Sequence, residues 1–138
     1  MKYFLLPFLL VCSLFFSSFS SLTDFVSSTD TIEIDDVVVA LNSGNASRLS
    51  RYFDNRVDIS LPERTENYSR TQAEMVMRAF FSDNGVHNFK LKYKSDKAGS
   101  NYCVGTLQTK SGNYRTTLLL RQKGERQYVQ DLSFQKIE

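Results

Sequence analysis

The feature that most constrains this chain is a change of hydrophobic period at Gly85 that is never reversed. Before it, apolar residues recur mainly at helical spacing, with one alternating stretch from Val57 to Leu61. After it, apolar and polar residues alternate in four stretches: Phe89 to Lys94, Tyr102 to Thr109, Tyr114 to Arg121 and Tyr128 to Ile137. Alternation at period two marks a strand with one face buried and the other in water. The turns between them, Asp96 to Asn101, Lys110 to Asn113 and Gln122 to Arg126, are short and built from turn-forming residues, and connections of that length join antiparallel neighbours. This predicts an antiparallel meander whose apolar face needs a second layer over it.

The residues before Gly85 supply that layer. Ile34, Val37, Val38 and Leu41 recur at i, i+3, i+4 and i+7, Asp30 with Glu33 forms a capping box in front of them, and Gly44 stops the run. Asn45 caps a short second helix carrying Leu49, Tyr52 and Phe53, which Asp54 and Asn55 break. Val57, Ile59 and Leu61 then alternate with Arg56, Asp58 and Ser60 as a strand that Pro62 ends. Ser69 and Gln72 form a second capping box, opening a helix with the apolar stripe Ala73, Val76, Met77 and Phe80 and closing at Asn84 and Gly85. Phe80 and its neighbour Phe81 are expected at the centre of the core, where this helix meets the sheet. The fold class is α+β, three helices packed on one face of a curved antiparallel sheet, with residues 30–138 as a single domain.

The front of the chain reads as a targeting signal. Lys2 is the only charge before Asp24, and it is followed by an apolar run from Tyr3 to Phe16 and by Ser17, Ser18, Phe19, Ser20 and Ser21. That is the three-part layout of a secretory signal peptide, and the run is shorter than the ~20 apolar residues that cross a bilayer. Residues 1–20 are therefore read as a cleaved signal and the serine-rich residues 21–29 as a disordered linker, leaving no stable membrane span and a periplasmic or secreted protein. Leu9 to Cys12 imitates a lipoprotein box only loosely, because Val11 is bulky and the apolar run continues past Cys12, so lipid anchoring is not adopted. Cleavage removes Cys12 and leaves Cys103 without a disulfide partner; placed in an apolar strand, it reads as a buried small hydrophobe.

Charge narrows the partners. With 17 basic and 15 acidic side chains there is no bulk electrostatic case for nucleic acid. The balance is uneven along the chain, however: residues 21–66 carry nine acidic and four basic side chains, and residues 67–138 six and twelve. If Phe89, Leu91 and Tyr93 face inward, Lys90, Lys92 and Lys94 face outward, and Arg115 and Arg121 do the same opposite inward Tyr114, Thr116, Leu118 and Leu120. Such a face is either a solvated surface whose lysines discourage edge pairing or a docking surface for an acidic partner or anionic lipid headgroups.

Taken together, Gly44-Asn45-Ala46, Tyr52-Phe53-Asp54, Tyr68-Ser69 with Gln72-Ala73, Phe80-Phe81, Phe89, Gly105-Thr106-Leu107-Gln108-Thr109, Gly112 and Tyr114-Arg115 resemble a family of small exported bacterial proteins classed only as a domain of unknown function. That family lies within the nuclear transport factor 2-like, or cystatin-like, superfamily with its cone-shaped fold. The resemblance covers residues 34–137 and implies a fold and a compartment, with no catalytic residues and no cofactor to carry over. It also leads one to expect a histidine at the end of the Phe89 strand, where this chain has Tyr93 followed by Lys94 and Ser95.

Cone-fold enzymes such as ketosteroid isomerases, which the fold resembles at the level of architecture, abstract a proton with an acidic base while a hydroxyl holds the oxyanion. Here the base would be Asp58 or Asp131 and the hydroxyl that of Tyr52, Tyr68, Tyr93 or Tyr114, giving an isomerase or dehydratase as the alternative reading. Phase opposes it, because Asp58 and Asp131 alternate with apolar neighbours and so turn to solvent. His87 is the sole histidine and, with Cys103, falls short of a zinc set. No Gly-x-Ser-x-Gly elbow, phosphate-cradling glycine loop or Gln-x-Val-x-Gly inhibitor wedge occurs. The expectation is thus a non-catalytic domain that binds an envelope protein or a small ligand through Tyr52, Tyr68, Tyr93 and Tyr114 and the basic set Lys90, Lys92, Lys94 and Arg115. A homodimer is compatible with it.

Overall fold

The structure is a computed structural model that describes residues 34–97 and 99–137; the expected signal (1–20), the linker (21–29) and the Asp30–Glu33 capping box lie outside them. In chain order the elements are α1 (Ile34–Ser43), α2 (Ala46–Ser50), β1 (Phe53–Leu61), β2 (Arg64–Ser69), α3 (Arg70–Asn84), β3 (Val86–Lys97), β4 (Ser100–Thr109), β5 (Gly112–Lys123) and β6 (Arg126–Ile137). The six strands form one sheet in the order β2-β1-β6-β5-β4-β3.

From β3 to β6 the chain is the expected meander, each strand antiparallel to the last. The sheet as a whole is mixed, which corrects the all-antiparallel expectation: β1 lies parallel to β6, with Ile59 opposite Leu132. A tight turn forces antiparallel pairing, but β2, α3 and three further strands separate β1 from β6, so no turn fixes their relative direction. The pairing is tied at one end by the Val129 N–H donating to the Tyr52 carbonyl at 2.7 Å.

Helix boundaries follow the capping chemistry. The Ser69 side chain accepts from the Gln72 N–H while the Gln72 side chain accepts from the Ser69 N–H, and Gly85, at φ 67°, closes α3 by donating its N–H to the Phe81 carbonyl. Asn84 then locks the end of the helix to the sheet: its Nδ2 donates to the Phe80 carbonyl at 2.8 Å, and its Oδ1 accepts from the Tyr114 hydroxyl at 2.9 Å.

The core lies between the helices and one face of the sheet. Val37 and Leu41 of α1, Leu49 of α2 and Ala73, Met77, Phe80 and Phe81 of α3 pack on Phe53, Ile59, Leu107, Leu118, Leu132 and Phe134 of the sheet. Phe80 is where α3 meets the sheet, its ring 5.2 Å from that of Tyr114 and 4.7 Å from that of Phe134. Cys103 is fully buried among these residues, and burial pushes its thiol up to about 11, so at neutral pH it is an uncharged packing group. Tyr52 and Tyr68 are also packed against or within the core, so their rings fill the cone.

Candidate functional site

Among the described residues the opposite face of the sheet carries no helix, and what it displays is set by an irregularity in β3. Phe89 opposes Leu107 and Leu91 opposes Gly105, but Tyr93 opposes Val104, so the register slips between Leu91 and Tyr93. A bulge inserts one residue and re-aims every side chain beyond it. Lys90 keeps its expected outward phase, opposite Thr106. Tyr93, expected to face inward, instead stands on the outer face and is 58% exposed. Lys94, expected outward, opposes buried Cys103 and turns to the helix side, where its Nζ lies 3.4 Å from Asp35 of α1. Alternation alone could not show this, since Lys92 carries the extra position without any break in composition.

The bulge assembles a groove of about 540 Å³ lined by Lys92, Tyr93, Tyr102, Val104, Thr106 and Arg115, with Ile137 at its end. Four of the sequence-derived binding residues, Lys90, Lys92, Tyr93 and Arg115, therefore share one surface, because Arg115 and Lys90 both oppose Thr106 from either side. Tyr102 and Ile137 are exposed apolar contributors that the sequence reading passed over. Their signal was present, since Tyr102 is in opposite phase to buried Cys103 and Ile137 to buried Phe134. The remaining candidates lie elsewhere: Tyr52 and Tyr68 on the core side, Lys94 against α1, and Tyr114 under α3.

Further along the same outer face, Asp58 and Asp131 are cross-strand partners on the parallel pair β1 and β6. Asn67 of β2 donates to Asp58 Oδ1 at 2.7 Å and is itself held by Arg56. Asp131 has no such donor among the described residues; partial burial, and then the charge of Asp58, hold its carboxyl above the usual aspartate value. The two aspartates are thus on the solvent side, as their phase predicts, while the hydroxyls of Tyr52, Tyr68 and Tyr114 belong to elements packed on the core side. Those three hydroxyls are across the sheet from the aspartates, and the fourth candidate, Tyr93, shares their outer face but stands on β3, with β5 and β4 between it and Asp131 of β6.

Asp54 presents the reverse electrostatics. Burial raises its pKa, but Lys123 Nζ at 2.7 Å, Gln130 Nε2 at 3.0 Å and the Asn55 N–H at 2.7 Å together outweigh burial and hold the carboxyl below the usual aspartate value. A lowered folded-state value means that this stabilisation is complete above the unfolded pKa and is lost as acid carries the pH down through the folded one. Asp131 has the opposite sign, because a raised folded-state value gives stability that is full below the unfolded pKa and is lost as pH rises through the folded one. Asp131→Asn is therefore expected to raise the melting temperature at neutral pH, and Asp54→Asn to lower it there and to flatten its fall in acid. Thermal melts between about pH 3 and 7 check both signs.

A second depression, of about 500 Å³, opens between α3, the β1–β2 turn and the ends of β5 and β6. Phe80, Val76, Ala79 and Leu61 line it along with Tyr114, and Glu63, Arg64, Asp83 and Lys136 bring four charges.

Comparison with known proteins follows the same lines. No curated protein matches the sequence. A solved DUF4783 protein from Bacteroides fragilis is 31% identical over 74% of this chain and 96% of its own, with a TM-score of 0.71. One from Bacteroides ovatus is 26% identical over 75% and 94%, with a TM-score of 0.72. An NTF2-like protein of unknown function from Cytophaga hutchinsonii shares the fold alone, at 8% identity over 75% and 86% and a TM-score of 0.56. The family model for a domain of unknown function (DUF4783) matches residues 34–135, the whole span from α1 into β6, and the chain belongs to that family.

Proposed function

We propose that this protein is exported and serves in the cell envelope as a non-catalytic binding domain that captures an acidic protein through the outer face of its sheet. One observation carries the reading: the β3 bulge brings Tyr93 out beside Tyr102 and Val104 in an exposed groove bordered by Lys92 and Arg115, on the face that also carries Lys90. Aromatic rings supply large contact area at low entropic cost, and cations around them select the sign of the partner's charge. The charge order of Lys2, the apolar run and the serines supports export.

Capture of envelope proteins from the native host by the immobilised domain tests the reading. Lys90→Glu with Lys92→Glu is expected to reduce specific capture by roughly tenfold or more at low salt, with the difference shrinking as salt screens exposed charges over about 8 Å. His87→Ala, Asp58→Asn and Asp131→Asn should leave capture intact. If the aspartate variants lose function while folded and the lysine reversals change nothing, the proton-transfer reading replaces the binding one.

A further inference from the structure

The depression beside α3 is separate from the outer face and has a chemistry of its own. Its floor is apolar, formed by Phe80, Val76, Ala79 and Leu61. Its rim carries two cations, Arg64 and Lys136, and two anions, Glu63 and Asp83. None of the four takes part in an ion pair or a side-chain hydrogen bond among the described residues, where the ion pairs are Arg78 with Glu74, Lys94 with Asp35 and Lys123 with Asp54. Four charges held around an apolar floor without pairing one another leave both signs free for an occupant.

The balance of signs selects that occupant. A ligand of single charge would meet as much repulsion as attraction from a rim of zero net charge, whereas one carrying an ammonium and a carboxylate at opposite ends can satisfy both. The apolar floor calls for an apolar body between those ends. Size agrees: about 500 Å³ falls within the roughly 300–1,000 Å³ of small-ligand sites. From Val76 to Asp83 the helix wall runs about 10 Å at 1.5 Å per residue, the span of two or three extended residues at about 3.4 Å each. Tyr114 adds a fixed acceptor, because its hydrogen is committed to Asn84 Oδ1 at 2.9 Å and its oxygen keeps its lone pairs.

We infer that this cleft binds a short zwitterionic peptide, two or three residues long with apolar side chains and both termini free. The side chains rest on Phe80 and Val76, the carboxylate pairs with a rim cation, Arg64 or Lys136, and the ammonium with a rim anion, Glu63 or Asp83.

Calorimetric titration of the purified protein with the dipeptide Leu-Phe, and with the same dipeptide acetylated and amidated, tests this. Leu-Phe is expected to bind with a Kd below about 1 mM, and the blocked form at least about tenfold more weakly. Ala79→Trp fills the cleft from an exposed helix position and should abolish binding while circular dichroism shows the fold unchanged. Asp83→Ala with Lys136→Ala, which leaves the floor intact, should weaken Leu-Phe by about tenfold and the blocked form hardly at all. The outer-face variant Lys90→Glu with Lys92→Glu should bind Leu-Phe like the parent, which keeps this inference distinct from the proposed protein capture. Equal affinity for free and blocked dipeptide, binding that survives Ala79→Trp, or no binding of Leu-Phe below about 1 mM would each overturn it.

Discussion

Phe80→Ala is expected to lower stability by about 3 to 5 kcal/mol, the range for truncating a buried phenylalanine, and so to remove a large share of the roughly 5 to 15 kcal/mol that holds a domain folded. Three features set the size. The ring is 92% buried, as its 8% exposure shows, and it bridges α3 to the sheet through Tyr114 edge-on at 5.2 Å and Phe134 at 4.7 Å. It also stands beside the α3 terminus, where the Phe80 carbonyl accepts from Asn84 and Asn84 accepts from Tyr114. Deleting the ring therefore loosens both the packing and the alignment of that hydrogen-bonded corner. Because Phe80 borders the cleft, part of the space left can admit water, which places the cost toward the lower end of the range. Urea titration of wild type and variant measures it; a loss under about 1 kcal/mol would mean that α3 presents a different face to the sheet.

Elements whose apolar residues keep a period were legible in the sequence, and those without one were not. Ala73, Met77 and Phe80 are buried at helical spacing, and Tyr114, Thr116, Leu118 and Leu120 at strand spacing, because each lies on an element with one face in the core. Strand β2 has no such record: from Arg64 to Asn67 it is exposed, with Tyr68 its one buried apolar side chain. Among the described residues it is an edge strand with a neighbour on one side only, held by its backbone ladder to β1, and a ladder leaves no mark on side-chain pattern. The parallel pairing of β1 with β6 was hidden for the same reason, since period states which face a residue occupies and not which strand lies beside it.

The candidate site was half legible. Outward lysines and an arginine on the sheet were readable from alternation, and Lys90, Lys92 and Arg115 are where alternation puts them. The bulge was not, because an inserted residue in a strand of alternating lysines looks like more of the same pattern. Its effect is to exchange roles: Lys94 leaves the basic face to meet Asp35, and Tyr93 joins it. A residue assigned to the core by period thus becomes an exposed aromatic at the centre of the groove. The edge that the bulge twists is also restrained from the helix side, where the Phe89 N–H donates to Asn42 Oδ1 of α1 at 3.0 Å. The presentation of Tyr93 consequently depends on how β3 is held against α1 and β4.

That dependence makes Gly105→Ala the second large expected effect. Gly105 lies on β4 opposite Leu91, immediately before the slip, and its place is defined by how closely β3 approaches it. A methyl at this position would lie 2.6 Å from the Lys90 carbonyl oxygen and 2.9 Å from Cε2 of the Phe89 ring, separations that real side chains do not reach. The carbonyl is backbone in a paired strand and cannot swing aside, and Phe89 is buried against the core at 6% exposure, so relief requires β3 to lift off β4 or Phe89 to leave its rotamer. Overpacking of this kind costs about 1 to 3 kcal/mol and more where backbone must move; here both obstacles act at once, which sets the expectation at about 3 kcal/mol or above. The lesion should also be local. Amide hydrogen exchange is expected to show lost protection along β3 and β4 near the bulge, with β1 and β2 unchanged, and capture of the acidic partner should fall because Tyr93 and Lys90 no longer share one surface. A loss of under about 1 kcal/mol with protection intact would show that β3 can move aside freely, and that the tight contact at Gly105 is not what fixes the outer face.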